Sequence, residues 1–462
     1  MFVDLRSTPK TWPRDGDNNA VAVTETDDAV CVRKDGTHLL ATLDTTSDIV
    51  VIEKLSEKEK VKQQANLPTE ASRPESKPGG DGRDKVLFLD GLRGLAAMLV
   101  VVQHAGYMGV SIGQPAVDTF FVLSAYLLTM IFEAKARALL AQRASRRRWM
   151  WALLDYFARR FLRVYPLFTV VAIVLTFYSD KDKGWLFRVK HPQDYNVLKV
   201  LTFDMRFRHH VFWTLPLEIS YYFMIPVFVL IVLKLRRFWW VFFLPLFVLV
   251  MYSGLYWFRL DHQPLKPHLP TFICGSMAAI IYAKIKQCMA KRSFEFKWWH
   301  TVFLRTVEMT SLAILLSTLF NGLFFDWIMR NPVPQTPGGH FVSVNVAIII
   351  VCEMLKRGVI SSVLEWSLLR YAGKISFSMY LLHSFVIYSD FVYGEKKYYN
   401  KFFSLWGLTF LLSAVSYHTI EYPCQLLATR VGNAIKQRDA AERQRMAPGL
   451  PVIVDPAHNH TT

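Results

Sequence analysis

Apolar runs of roughly 17–25 residues, the length a helix needs to cross a hydrocarbon layer, recur along this chain near 86–108, 116–134, 161–178, 212–233, 238–258, 269–286, 301–325, 341–356, 374–393 and 402–422. The eighth is the shortest. Backbone polar groups in lipid must be satisfied within the segment, so runs of this kind predict helices. The expected fold is therefore all-α, a polytopic transmembrane bundle of about ten spans. Polar sequence bounds it on both sides: a disordered polar N-terminal tail over 1–85, a membrane-embedded domain over 86–425 and a basic polar C-terminal tail over 426–462. The first tail is rich in Asp, Lys, Pro and Gly and lacks the apolar core of a signal peptide. Within it only Asp48-Ile-Val-Val-Ile-Glu53 stands out, as a strand or a docking motif.

Charge orients the bundle. Lys135, Arg137, Arg143, Arg146, Arg147 and Arg148 lie between the second and third runs, Lys234, Arg236 and Arg237 between the fourth and fifth, and Lys284, Lys286, Lys291 and Arg292 between the sixth and seventh. With alternating spans all fall on one side, which the positive-inside rule assigns to the cytosol, and both termini join them there. The segment 179–210 breaks the pattern with Lys and Arg on the opposite side, and is long enough to form a cap with a short helix around Asn196–Phe203. At 52% hydrophobic residues over 462 positions and a mean hydropathy of +0.21, the chain is no ordinary soluble enzyme. The net charge of +17 sits beside the apolar runs, so it does not indicate nucleic-acid binding. Five scattered cysteines, with no CxxC pair, give neither a disulfide framework nor a zinc site.

Ionisable residues inside spans are costly and mark functional paths. Asp90, Arg93 and His104 lie within the first run. His104 lies eleven positions after Arg93, which at about 100° per residue puts both on nearly one helix face, about 16 Å apart along the axis. Asp118 and Ser124 open the second run, Arg160 and Arg163 share a face at i, i+3 before Tyr165-Pro166, and Glu218 sits early in the fourth. Gly373-Lys-Ile-Ser-Phe-Ser-Met-Tyr-Leu-Leu-His383 forms the ninth, and Glu421 ends the tenth. Interhelical hydrogen bonding is the preferred role for His383 and Glu421, and topology is the alternative role for the arginine pair. His209, His210, His262 and His268 lie in outer loops without metal-ligand spacing and receive no role.

These five elements, in this order, resemble the acyltransferase 3 family of integral membrane acyltransferases, and more closely its fungal branch. The resemblance covers about residues 86–425: an Arg, ten residues and a His; a V-D-x-F-F-V-L-S segment; an R-x-x-R pair before Tyr-Pro; a Trp-plus-Glu span; and a G-x-I-S-x-S-x-Y-x-x-H span. Ala116 and Ala125 stand where the family usually has Gly, and Glu218 lacks the second Glu of many bacterial relatives. The resemblance implies an acyl-CoA-dependent O-acyltransferase, in preference an O-acetyltransferase drawing on acetyl-CoA and needing no metal. In it His104 would be general base or acylated intermediate, Arg93 and Glu218 would complete the catalytic set, and Arg160 and Arg163 would hold the donor's phosphates. The acceptor would be a hydroxyl of a small lipophilic or specialised metabolite, such as a terpenoid or polyketide, or of a glycan, and the protein would reside in an endomembrane or the plasma membrane. A proton-coupled transporter is the rival reading, because buried Arg, His, Asp and Glu also build proton relays.

Overall fold

The structure, a computed structural model, describes residues 22–26, 29–34, 37–43, 50–54, 86–107, 112–204, 207–256, 265–320, 322–326 and 341–446. It divides into two units, Met1–Arg83 and Asp84–Thr462. In the first, β1 (Ala22–Thr26), β2 (Ala29–Lys34), β3 (Thr37–Leu43) and β4 (Val50–Lys54) pair antiparallel in the order β1-β2-β3-β4, in a stretch expected to lack regular structure. Val and Thr are dense there, and such side chains favour pleated strands. The Asp48–Glu53 patch contributes Val50–Glu53 to β4, whose Val50 pairs with Leu43. The other residues of the expected tail lie outside the described ones.

The second unit is an all-α membrane bundle. Its principal helices are α1 (Leu87–Ala105), α2 (Gly113–Ala141), α3 (Arg146–Val174), α4 (Thr214–Leu235), α5 (Trp239–Tyr256), α6 (Leu269–Lys291), α7 (Trp298–Leu319), α8 (Val342–Leu355), α9 (Val359–Leu364), α10 (Ser367–Lys374), α11 (Ser376–Ile387), α12 (Tyr398–Ser416) and α13 (Tyr422–Met446). Among the described residues, seven helical stretches are long and apolar enough to cross a membrane; one of them, His210–Tyr256, contains both α4 and α5. The shorter apolar helices α8 and α11 accompany them. Each expected run overlaps at least one of these elements.

Two boundaries differ from expectation for the same reason. Helix α3 begins at Arg146, well before 161, because Asp155 accepts from Lys135 of α2 and from Arg159, both at 2.7 Å, so a charged segment stays helical and packed. Helix α13 runs through the expected domain limit near 425 and lies along α3, with Arg148 Nε 3.2 Å from Asp439. Both extensions are helical ion-pair surfaces that hydropathy does not detect.

Helix α2 is central: 72% of its apolar window is buried, against 17% for α7 and 11% for the α4–α5 stretch. Hydrogen bonds join α2 and α4 to α6, from Thr129 to Ser276 at 2.8 Å and between Tyr221 and Ser276 at 2.7 Å, the polar contacts membrane bundles favour. Helix α1 is seated by glycines. A methyl on Gly94 would lie 2.6 Å from the Gly373 nitrogen of α10, so the two backbones meet where only hydrogen fits. Gly94→Leu should force α1 off α10, destabilising by about 1–3 kcal/mol or more, read as a lowered midpoint of thermal aggregation in detergent. A midpoint equal to wild type would remove this contact as the seat of α1.

Candidate active site

The structure gathers Arg93, Arg160, Arg163 and Glu218, all expected catalytic or donor-binding residues, in one interior cavity. Arg93 rises from the second turn of α1, Arg160 and Arg163 from one face of α3, and Glu218 from the first turns of α4. Together with Ser124 of α2 and Ser376 and Tyr380 of α11 they line a space of about 190 Å³. Tyr222, one turn beyond Glu218, donates to its carboxylate at 2.7 Å. Asp90 approaches Arg93 only to 3.9 Å. Three guanidiniums against a single lining carboxylate leave the cavity positive. Arg160 Nε, buried, has no hydrogen-bond partner among the described residues. Gathered cations with an unmet donor call for an anion, since burying such charge is costly unless it is paired.

Glu421 supports this wall from behind. It closes a π-helical turn, Tyr417–Glu421, that links α12 to α13, an irregularity common at functional sites. Its carboxylate accepts from Ser378 Oγ at 2.9 Å and Gln425 Nε2 at 3.1 Å, and acts electrostatically on Arg163 and Arg93. The interhelical role open to Glu421 in the sequence is the one it takes. Arg163 was legible as a partner of Arg160, whereas the approach of Glu421 depends on a turn no periodicity announces.

His104 occupies the other end of α1. Because α1 is continuous, it stands about 16 Å from Arg93 along the axis. Its Nδ1 pairs with the Val100 carbonyl at 2.9 Å. A carbonyl accepts only, so in the neutral ring Nδ1 carries the proton and Nε2 the lone pair. The structure therefore does not bring together Arg93 and His104, the two residues expected to act jointly. Arg188, from the 179–210 cap, is the cation that acts on His104 electrostatically.

Two further histidines surround His104. The ring of His383, fully buried on α11, lies 4.9 Å from it and that of His210 5.5 Å. His383 Nδ1 pairs with the Tyr380 carbonyl at 2.8 Å, which ties this cluster to a residue lining the arginine cavity. The cap delivers His210: its amide donates to the Phe187 carbonyl at 3.1 Å, at the start of the 3-10 turn His210–Trp213. The ring of neighbouring His209 backs it at 4.6 Å; burial pushes His209 down to about 3, so it stays neutral. The expectation that His210 has no role rested on loop position and spacing, and the structure overturns that ground by folding the loop onto α1. His268 instead packs on Trp213 and Phe121 at 5.2 and 5.9 Å, and His262 lies outside the described residues. The cap also carries the expected surface helix, Val197–Leu201, capped by the Asn196 side chain at the Leu198 amide, 2.9 Å.

A helical bundle of this kind, with a guanidinium-lined interior cavity at one end of α1 and a histidine cluster at the other, is that of a multi-pass membrane protein. The acyltransferase domain of the acyltransferase 3 family matches residues 86–418, and the chain belongs to that family. A Staphylococcus aureus (strain COL) protein provisionally named an O-acetyltransferase is 26% identical over 375 residues, covering 72% of this chain and 56% of that protein. O-acetyltransferase OatA of S. aureus strain NCTC 8325 is 25% identical over 365 residues, with the same shares. The chain thus spans little more than half the length of these curated relatives. No solved structure matches it.

Proposed function

We propose that the protein is a membrane-embedded O-acyltransferase that takes an acetyl group from acetyl-CoA and passes it to a hydroxyl. The observation that carries the reading is the cavity lined by Arg160 and Arg163 of α3 and by Arg93 of α1, the helix that also bears His104. At about 190 Å³ it is smaller than the roughly 300–1,000 Å³ that encloses a whole drug-sized ligand. It therefore suits part of a long donor. The arginines pair with donor phosphates by charge-assisted hydrogen bonds, and the extended thioester arm bridges the ~16 Å to His104. There Nε2 takes the proton of the acceptor hydroxyl as its oxygen attacks the thioester carbonyl. Arg188 supports the negative charge on the carbonyl oxygen. Collapse of the adduct breaks the C–S bond, the imidazolium returns its proton to the departing thiolate, and ester and CoA leave. Arg93 thereby moves from the reaction centre to the donor side, where Glu218 and Glu421 hold the arginines in place.

The acceptor reading is a small lipophilic alcohol, a specialised metabolite or a glycan, the hydroxyl of each meeting the demand of this step. Purified protein with acetyl-CoA alone should release CoA slowly by water attack, and His104→Ala should lose that release. A transporter would show no CoA release in either form. Profiling cells that lack the protein should then reveal the unacylated acceptor accumulating.

Sidedness is open to a direct test. With both termini cytosolic, a cysteine introduced at Gly109 in a background lacking native cysteines is labelled only from the lumenal or external face, and tags at Met1 and Thr462 only from the cytosol. Protection of one tag without the other would make the number of crossings odd. It would also place the arginine cavity and His104 on unassigned sides.

A further inference from the structure

Three imidazoles from three separate elements converge at the C-terminal end of α1, and the donor reading does not use two of them. His104, His210 and His383 each offer one ring nitrogen, and these atoms all lie within 4.8 Å of one another. The tautomers are set from behind. His104 and His383 each have Nδ1 committed to a backbone carbonyl, Val100 at 2.9 Å and Tyr380 at 2.8 Å, so each turns an unprotonated Nε2 toward the cluster. A ring nitrogen tied to a carbonyl behind a free one is the arrangement that orients metal-bound histidines. His383 is 0% exposed with no partner for Nε2 among the described residues. A buried imidazole with an unmet lone pair lacks the compensation its burial requires.

We infer that His104, His210 and His383 form a binding site for a divalent transition cation, zinc foremost. Three neutral imidazoles suit zinc, copper or nickel, while the lack of any carboxylate in the trio excludes calcium and magnesium. Zinc–nitrogen bonds of about 2.0–2.1 Å in a tetrahedron hold ligand nitrogens about 3.4 Å apart, so the trio closes by roughly 1.5 Å through ring rotation. His104 is exposed and His210 half-buried above the buried His383, which gives the ion an entry path and leaves a fourth position open. Arg188 acts on both His104 and His210 and favours an anion, hydroxide or chloride, in that position. The consequence rests on His104 acting as base: a metal on Nε2 occupies the lone pair that accepts the proton, so zinc switches transfer off and a chelator restores it.

The test is zinc itself, added to purified full-length protein and competed against a metallochromic indicator without donor or acceptor. Wild type should hold one zinc per chain. His210→Asn and His383→Asn should each weaken binding by more than about 10-fold, with gel-filtration profile and thermal midpoint confirming that each variant folds. Magnesium should not compete. Failure of wild type to retain zinc, or equal retention by both folded variants, as when cysteines hold the metal, would overturn the site. Acetyl transfer is measured separately, with and without zinc. Inhibition relieved by chelator supports the switch, and zinc bound stoichiometrically with transfer unchanged overturns it. A folded His104→Ala variant that still transfers acetyl but no longer binds zinc would sink the base assignment while leaving the metal site standing.

Discussion

His104→Ala is expected to reduce acetyl transfer by about 10²–10⁴-fold, the range that a positioned acid–base group contributes, while expression and membrane insertion stay near wild type. Removing a polar group from a span does not raise the cost of insertion. Packing should also tolerate the change, because His104 lies at the exposed end of α1 and, among the described residues, its hydrogen bond is to its own helix at Val100. The loss should appear in the maximal rate with the Michaelis constant for acetyl-CoA little changed, since the donor's charged end is held about 16 Å away. His104→Gln sharpens the test. It keeps a side chain that donates and accepts but cannot accept a proton at neutral pH, so it should be nearly as inactive as Ala. Turnover by either variant above a few per cent of wild type, with a normal gel-filtration profile, would remove His104 as the base.

Much of this geometry was legible in the sequence because helices impose it. The eleven-residue step from Arg93 to His104 fixes a shared face and an axial separation once α1 is helical, and the three-residue step from Arg160 to Arg163 fixes a second shared face. Those two relations, with Glu218, are enough to outline the cavity. What stayed hidden depends on chain reversals. His210 reaches His104 only because the cap folds back through the Phe187 carbonyl, and neither its hydropathy nor its distance in sequence records that. Glu421 arrives on a π-turn, where the extra residue shifts the register that periodicity assumes. The early start of α3 escaped for a different reason: its first turns are stabilised by Asp155, Lys135 and Arg159 rather than by lipid.

Arg160→Gln combined with Arg163→Gln should raise the Michaelis constant for acetyl-CoA far more than that for the acceptor. Each charge-assisted contact to a phosphate is worth about 1.5–3 kcal/mol. If both arginines contact the donor, the loss in kcat/KM is of the order of 10²–10⁴-fold. Gln keeps the length and some hydrogen bonding, so the change is mainly one of charge. The maximal rate should fall much less, because contacts remote from the breaking C–S bond bind ground and transition states alike. The cavity also predicts how the loss responds to the donor. Arg93 remains in the double variant, so one guanidinium still faces Glu218 and the space turns from positive to balanced. Its discrimination for an anionic donor should therefore collapse: an uncharged acetyl thioester bearing only the pantetheine arm, a poor competitor for wild type, should approach acetyl-CoA in efficiency. Because basic residues also set topology, the terminal tags must report unchanged orientation in the same preparation. With orientation intact, an unaltered Michaelis constant for acetyl-CoA would mean that the arginine cavity holds some other anion, and that the donor reaches His104 by another path.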